Sequence, residues 1–222
     1  MIKEPSIKLP FADRTQAGSQ LGQALRAYAG RSDVVILALP RGGVPVAFEI
    51  MKAINATLDL MLVRKLGTPG QEELAMGAIA AGGVQLLNPD IVESLRIPAA
   101  AIEAVAKRER KELERRQRAY RGDRPFPDVT QRCVILVDDG LATGATMRTA
   151  IKALRQQHPA RIVVAVPVAP PETILTLQQE ADEVICLATP RPFWAIGQWY
   201  LDFPQVSDEE VKDLLQRAQE TT

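Results

Sequence analysis

The chain has 222 residues, 46% of them hydrophobic, enough to bury one sizeable core as a single α/β domain with additions or as one and a half domains. Its 27 basic and 27 acidic side chains cancel, so no global field draws it to nucleic acid or to an acidic membrane; a local nucleic-acid contact stays open. No run reaches the ~20 apolar residues of a membrane span, and Met1-Ile-Lys-Glu-Pro5 has no apolar leader core, so the expected location is the cytoplasm.

Asp13 reads as a helix N-cap, and Leu21, Ala24, Leu25 and Tyr28 fall on one face, which predicts a helix over 13–28 closed by Gly30. Val34 to Leu39 reads as the first core strand, 44–54 as a helix and 58–63 as a second strand. Directly after the first strand stands Pro40-Arg-Gly-Gly43. Gly42 and Gly43 permit close backbone approach to an anion, and Arg41 supplies a planar cation suited to phosphate oxygens. Taken alone, such a tripeptide is as readily a plain turn. Arg64 and Lys65 follow the second strand and precede Gly67-Thr-Pro-Gly70, read as a flexible, polar connection with Glu72 and Glu73. Residues 78–87, broken by Gly82-Gly83, predict one or two strands around a turn.

The spacing then predicts a long charged helix over 98–120, treated with its Pro-rich close as an insertion at 98–124. Lys107 to Arg124 carries nine basic against four acidic side chains, a surface that RNA or a phosphorylated partner could touch. The i,i+4 pairs Glu112–Arg116 and Glu114–Arg118 favour a solvated helix instead. Beyond the motif described next come strands at 161–166 and 183–187, a helix at 171–180, an aromatic segment at 189–203 and a last helix begun by Ser207-Asp-Glu-Glu210. Cys133 and Cys186 lack metal-ligand spacing and read as reduced core thiols. His158 reads as a helix-end residue rather than a catalyst.

The most informative stretch is Val134-Ile-Leu-Val-Asp-Asp-Gly-Leu-Ala-Thr-Gly-Ala-Thr-Met147. A β-branched run ends at two carboxylates and opens into a Gly/Thr loop ahead of a helix, the kind of turn where open α/β sheets bind ligands. Gly140 and Gly144 let the backbone curl so that N–H groups point inward, and the next helix adds its partial positive charge. Such a cup suits a phosphate monoester. Thr143 and Thr146 add hydroxyl donors, while Asp138 and Asp139 sit where vicinal ribose hydroxyls can donate to them. No lysine follows Gly144, which sets the loop apart from a nucleoside-triphosphatase loop, and no early G-x-G-x-x-G marks a dinucleotide fold.

Val137 to Thr146 closely resembles the 5-phosphoribosyl-1-diphosphate (PRPP) motif of type I phosphoribosyltransferases. Phe11-Ala-Asp-Arg14, Leu39-Pro-Arg-Gly-Gly-Val-Pro45 and Val63-Arg-Lys-Leu-Gly-Thr-Pro69 extend the resemblance over most of the chain, toward a group of unassigned acceptor. The resemblance implies one phosphoribosyltransferase domain over 1–222: an α/β fold with a doubly wound, mainly parallel sheet, a helical insertion and a hood-like segment at 189–206. It implies a Mg²⁺-dependent transferase that joins the ribose 5-phosphate of PRPP to a small-molecule nitrogen acceptor, a nucleobase of the salvage type among the candidates, and releases pyrophosphate. The magnesium arrives with PRPP and no metal is held by protein alone.

By the same resemblance Asp138 and Asp139 hold the ribose diol, and Gly140, Leu141, Ala142, Thr143, Gly144, Ala145 and Thr146 anchor the 5-phosphate. Arg41, Gly42 and Gly43 form the pyrophosphate loop. Arg64 and Lys65 stand at the root of a mobile lid and neutralise the leaving group, and Phe193, Trp194 and Asp202 are the acceptor hood. Two departures bear on substrate. The hood spacing needs extra residues, so core packing or a homodimer contact is an equal reading of the aromatic segment. Ala142 replaces the aspartate that 6-oxopurine enzymes carry there, so proton handling falls to the lid, to water or to the acceptor itself. The alternative reading is a binding protein that senses PRPP or a nucleotide without transfer.

Overall fold

Strands with side chains buried along their whole length need cover on both faces, and β1 (Val34–Ala38) and β6 (Cys133–Val137) are of this kind. The computed structural model describes residues 8–221. In it β1 and β6 lie side by side at the centre of a five-stranded parallel sheet ordered β2-β1-β6-β7-β8, with β2 at Thr57–Leu60, β7 at Arg161–Val168 and β8 at Glu183–Ala188. A second sheet, β3-β4-β5, is antiparallel and spans Val63–Thr68, Gln71–Ala80 and Val84–Leu87. The fold is the doubly wound α/β class with an added small sheet.

The chain moves one way across the sheet from β1 through α2 (Gly43–Ile54) to β2, and the other way from β6 through α5 (Ala145–Arg155) to β7. Right-handed crossovers therefore put α2 and α5 on opposite faces, and the loops after β1 and β6 part company. A crevice opens there, at the carboxyl ends of two neighbouring strands. Helix α1 (Arg14–Ala24) packs on α2 and reaches β7 and β8, while α5 packs against the small sheet. Its expected N-cap holds: Asp13 accepts a hydrogen bond from the Gln16 amide at 2.7 Å. The helix ends earlier than its periodicity suggests, because Arg26–Tyr28 tightens into a 3-10 turn before Gly30.

Residues 58–63 do not form one strand. The sheet ends at Leu60, and Val63 opens the hairpin β3–β4, whose turn is Pro69-Gly70. The stretch expected to be a flexible connection is thus paired backbone, with bulges at Leu66–Thr68 where the glycine and threonine break alternation. Gly82-Gly83 turns β4 into β5 as expected.

After the short α3 (Pro89–Ser94), α4 (Ala99–Arg121) buries Ile102, Ala106, Leu113 and Tyr120 against β3, β4 and α7 (Asp208–Thr221). The end of α4 is held firmly. Arg121, 4% exposed, ion-pairs with Asp59 at 2.5 Å and donates to the Leu60 carbonyl. Helix α6 (Pro171–Leu177) links β7 to β8, and Ser207 caps α7 by accepting from the Glu210 amide at 3.1 Å. Cys133 and Cys186 are free thiols, and burial pushes Cys186 up to about 11. Among the described residues no helix is long and apolar enough to cross a membrane.

Candidate active site

The strand β6 stops at Val137 and the chain turns into α5 through Asp138–Gly144. Gly144 takes φ +69°, a left-handed turn that a side chain would strain, and this aims the first amides of α5 back toward the strand end. Those amides have no acceptor within their own helix. The loop is pinned from behind: the Leu141 amide donates to Val168 O at 2.9 Å and Thr173 Oγ1 donates to Ala142 O at 2.7 Å. Thr143 and Thr146 remain exposed. A cleft of about 210 Å³ lies over this turn, lined by the loop from Gly140 to Thr146, by Asp138, by Lys65 of β3 and by Ile196. Three of the features singled out in the sequence therefore meet here: a carboxylate, a lysine and an amide-rich helix start.

The two carboxylates part company. Asp139 Oδ2 accepts from Arg14 Nε at 2.8 Å with both side chains 10% exposed, and the Asp139 carbonyl accepts from the Tyr200 hydroxyl at 2.5 Å. Arg14 also donates to Pro204 O at 2.8 Å and lies 3.8 Å over the Phe203 ring, which in turn stacks on Tyr200. Asp139 faces a second cavity of about 420 Å³, walled by Arg14, Arg41, Gly42, Ile196 and residues 203–206. Ile196 stands between the two spaces. Asp138 lines the first, with its Oδ1 accepting from the Asp139 amide at 2.9 Å. Burial, then the charge of Asp139, raises the Asp138 pKa well above the carboxylate range. Burial also raises Asp139, but there the Arg14 guanidinium opposes the rise, so Asp139 is the first of the pair to ionise.

Arg41, Gly42 and Gly43 lie at the crevice. Gly42 packs so closely on Asp139 that a Cβ there would overlap the carboxylate, and Arg41 points into the second cavity, 3.5 Å from Asp208. The peptide between Pro40 and Arg41 is cis. Adjacent strand residues face opposite sides, so Arg64 and Lys65 separate. Lys65 reaches the first cleft, whereas Arg64 turns to α4 and holds Glu109 Oε2 through Nε at 2.9 Å and Nη2 at 2.5 Å.

The aromatic segment is spread out. Phe193 lines a separate open groove of about 520 Å³ with Pro170, Glu172 and Arg191. Trp194 is 78% exposed, and Asp202 is a surface residue whose amide donates to Ala12 O at 2.9 Å. Neither cavity beside the carboxylates includes these three side chains. Ile196 and Arg14 are the contributors the sequence reading did not assign. A clue to Arg14 was present: a cation in the first turn of a helix opposes the helix dipole, so an outside partner is expected.

The sequence matches the phosphoribosyl transferase domain over residues 15–203. Two Mycobacterium tuberculosis proteins, "Putative phosphoribosyl transferase Rv0571c" and its strain counterpart MT0597, are each 48% identical over 208 residues, 94% of this chain. The chain spans about half of each, 47% of their length. The crystal structure of TT1426 from Thermus thermophilus superposes with a TM-score of 0.83 at 43% identity, covering 94% of this chain and 99% of that one. The chain belongs to the phosphoribosyl transferase family.

Proposed function

We propose that the protein transfers ribose 5-phosphate from PRPP to a nitrogen acceptor and releases pyrophosphate. The observation that carries this reading is the single 210 Å³ cleft in which Asp138, Lys65 and the amides opening α5 converge. A phosphate monoester seats on those amides and on the Thr143 and Thr146 hydroxyls. From there the ribose extends toward Asp138, whose carboxyl oxygens accept from the vicinal hydroxyls; positive charge developing at C1 favours loss of the proton that burial holds on this group, and the resulting carboxylate stabilises that charge. Asp139 is already neutralised by Arg14, so its part is to fix Gly42 and the loop after β1. As the C1–O bond breaks, its electron pair leaves with the diphosphate, which Lys65 faces. The acceptor nitrogen forms the new bond to C1 and sheds its proton to water or to the departing group. Residues 189–206 supply the acceptor side of the site through Ile196, which lines both cavities beside the carboxylates.

The donor set suits a magnesium ion that comes with substrate. One carboxylate, Asp138, lines the cleft, Asp139 is engaged by Arg14, and the described residues hold no group of three or more acidic, histidine or cysteine ligands. Mg²⁺ bound mainly by phosphate oxygens and water requires no more than this, and it supplies charge neutralisation of the diphosphate.

The test is pyrophosphate release from PRPP and Mg²⁺ over a panel of purine, pyrimidine and other nitrogen acceptors, with Asp138→Asn as control. Release that depends on one acceptor and falls at least about a hundredfold in the variant supports transfer. No release from any acceptor, with PRPP still raising the melting temperature, replaces this reading with that of a PRPP sensor.

A further inference from the structure

We propose that the solvent face of helix α4 docks the phosphate backbone of duplex DNA, a binding function separate from phosphoribosyl transfer. The helix turns Ile102, Ala106, Glu109, Leu113 and Tyr120 inward, so only its outer half meets solvent. With about 3.6 residues per turn, Lys107, Arg108, Lys111, Arg115 and Arg118 fall within an arc of roughly 100° on that outer half. All of them are exposed. The other residues of α4 in the arc are Ala100 and Ala104, while Glu103, Glu112 and Glu114 lie outside it.

The charge of this stripe is largely unanswered. Among the described residues, the side chains of Lys107, Lys111 and Arg118 make no ion pair or hydrogen bond. The spacing pairs Glu112 with Arg116, which meet at 2.9 Å, and Glu114 with Arg118, which do not meet. Glu114 sits instead on the flank with Gln117, lining a small cavity against Ile79 and Gln85 of the antiparallel sheet. Arg108 meets Glu109 at 3.0 Å, but Arg64 holds the same carboxylate at 2.9 Å from the inner side. Arg115 meets Glu112 at 2.8 Å and shares it with Arg116. These four guanidinium groups thus face two carboxylates. The chain as a whole is neutral, so the excess is a local field on one face.

The layout selects the partner. From Lys107 to Arg118 the stripe runs about 17 Å at the helical rise, alongside about five successive phosphates of one strand of a B-form duplex. It lacks the large apolar side chains that seat an amphipathic helix in a membrane surface. It carries no aromatic ring on which the bases of a single strand could stack. No side chain in it can accept a hydrogen bond from a 2′-hydroxyl, the group that distinguishes RNA. A line of cations also differs from the compact cluster that grips one phosphorylated side chain. Because the inner half of α4 is packed on the body of the protein, the helix cannot sink into a groove and contacts phosphates rather than base edges.

Fluorescence anisotropy of a short mixed-sequence DNA duplex, titrated with the full chain, tests this. The three free cations predict a slope of about −3 in log affinity against log salt, a loss of about fortyfold between roughly 50 and 200 mM. Lys107→Gln/Lys111→Gln/Arg118→Gln should weaken binding at least about tenfold at the lower salt and flatten the slope. Arg26→Gln/Lys152→Gln/Lys212→Gln makes the same charge change at exposed sites on other elements and should stay within about twofold of the parent. Single-stranded DNA, an RNA duplex of the same sequence and phosphatidylserine vesicles should compete no better than unlabelled duplex DNA. No binding at the lower salt, an equal loss in both triple variants, or stronger competition by any of those three overturns the proposal and leaves the transfer reading untouched.

Discussion

Arg14 Nε and Asp139 Oδ2 lie 2.8 Å apart across 125 positions of sequence, and this pair binds the first helix to the floor of the site. Arg14 leaves Asp139 the more readily ionised of two adjacent buried carboxyls and so decides how the pair carries charge.

Removing Arg14 should strand the Asp139 charge. Arg14→Ala is expected to destabilise the fold by about 3 kcal/mol or more, because a buried carboxylate loses its counter-ion. Arg14→Met combined with Asp139→Asn should cost less than Arg14→Ala alone. Urea unfolding of the three proteins measures both differences, and a double variant no more stable than Arg14→Ala would contradict the account.

Asp138 sets stability against function. Burial and the neighbouring carboxylate keep it protonated to higher pH than in the unfolded chain. The folded state then holds the extra proton, so this contribution to stability is full below the unfolded carboxylate pKa and is lost as pH rises through the elevated one. At neutral pH, Asp138→Asn should therefore raise the melting temperature by about 2–4 °C, the shift that roughly 1 kcal/mol gives a chain of this size. The gain should shrink below about pH 4, the ordinary carboxylate range, while turnover falls at every pH. Calorimetric scans from acid to mildly alkaline pH report the trend; a variant less stable than the parent on the alkaline side would reverse the sign.

Gly42 has no spare volume above it. A methyl group there meets the Asp139 carboxylate, which cannot retreat because Arg14 and Tyr200 hold that residue at both ends. Gly42→Ala should cost about 1–3 kcal/mol as an overpacking change and weaken PRPP binding. Gly43→Ala, whose Cβ would come within 2.7 Å of Val137 O, should behave alike. Either variant with parental stability and affinity would mean that the loop relaxes freely.

Trp194 separates an acceptor hood from packing. At 78% exposure it supports little of the core, so Trp194→Ala should leave stability within about 0.5 kcal/mol. If residues 189–206 close over the acceptor, the same change raises the acceptor KM while the PRPP KM holds. Steady-state kinetics with each substrate varied in turn decides the matter, and an unaltered acceptor KM removes Trp194 from the hood.

Much of this is legible locally. A strand that ends at paired aspartates and a glycine-bearing loop before a helix announces an anion cup, because the backbone geometry that makes the cup is written in consecutive residues. What sequence does not carry is which way side chains turn. Arg64 and Lys65 read as one cationic pair; in a strand they must diverge, and Gly67-Thr-Pro-Gly70 obscures that 63–68 is a strand at all. Phe193 and Trp194 draw attention as aromatic rings, whereas the residue between the cavities is the plainer Ile196, placed there by a 3-10 turn with no strong local signal. Arg14 needs a partner 125 residues away, a distance over which no spacing rule operates.

The bridge between Phe11 and Tyr200, closed by the Phe11 amide on Trp199 O and the Leu201 amide on Phe11 O, each at 2.8 Å, bears on how the molecule is made. On the ribosome, Arg14 and Asp139 emerge long before the hydroxyl, ring and carbonyl of Tyr200, Phe203 and Pro204 that seat them. A nascent chain stalled short of residue 199 carries its cup already spelled out but with Asp139 unsupported from above. The full seating of Arg14 and Asp139 is therefore complete only after residue 204 has been made.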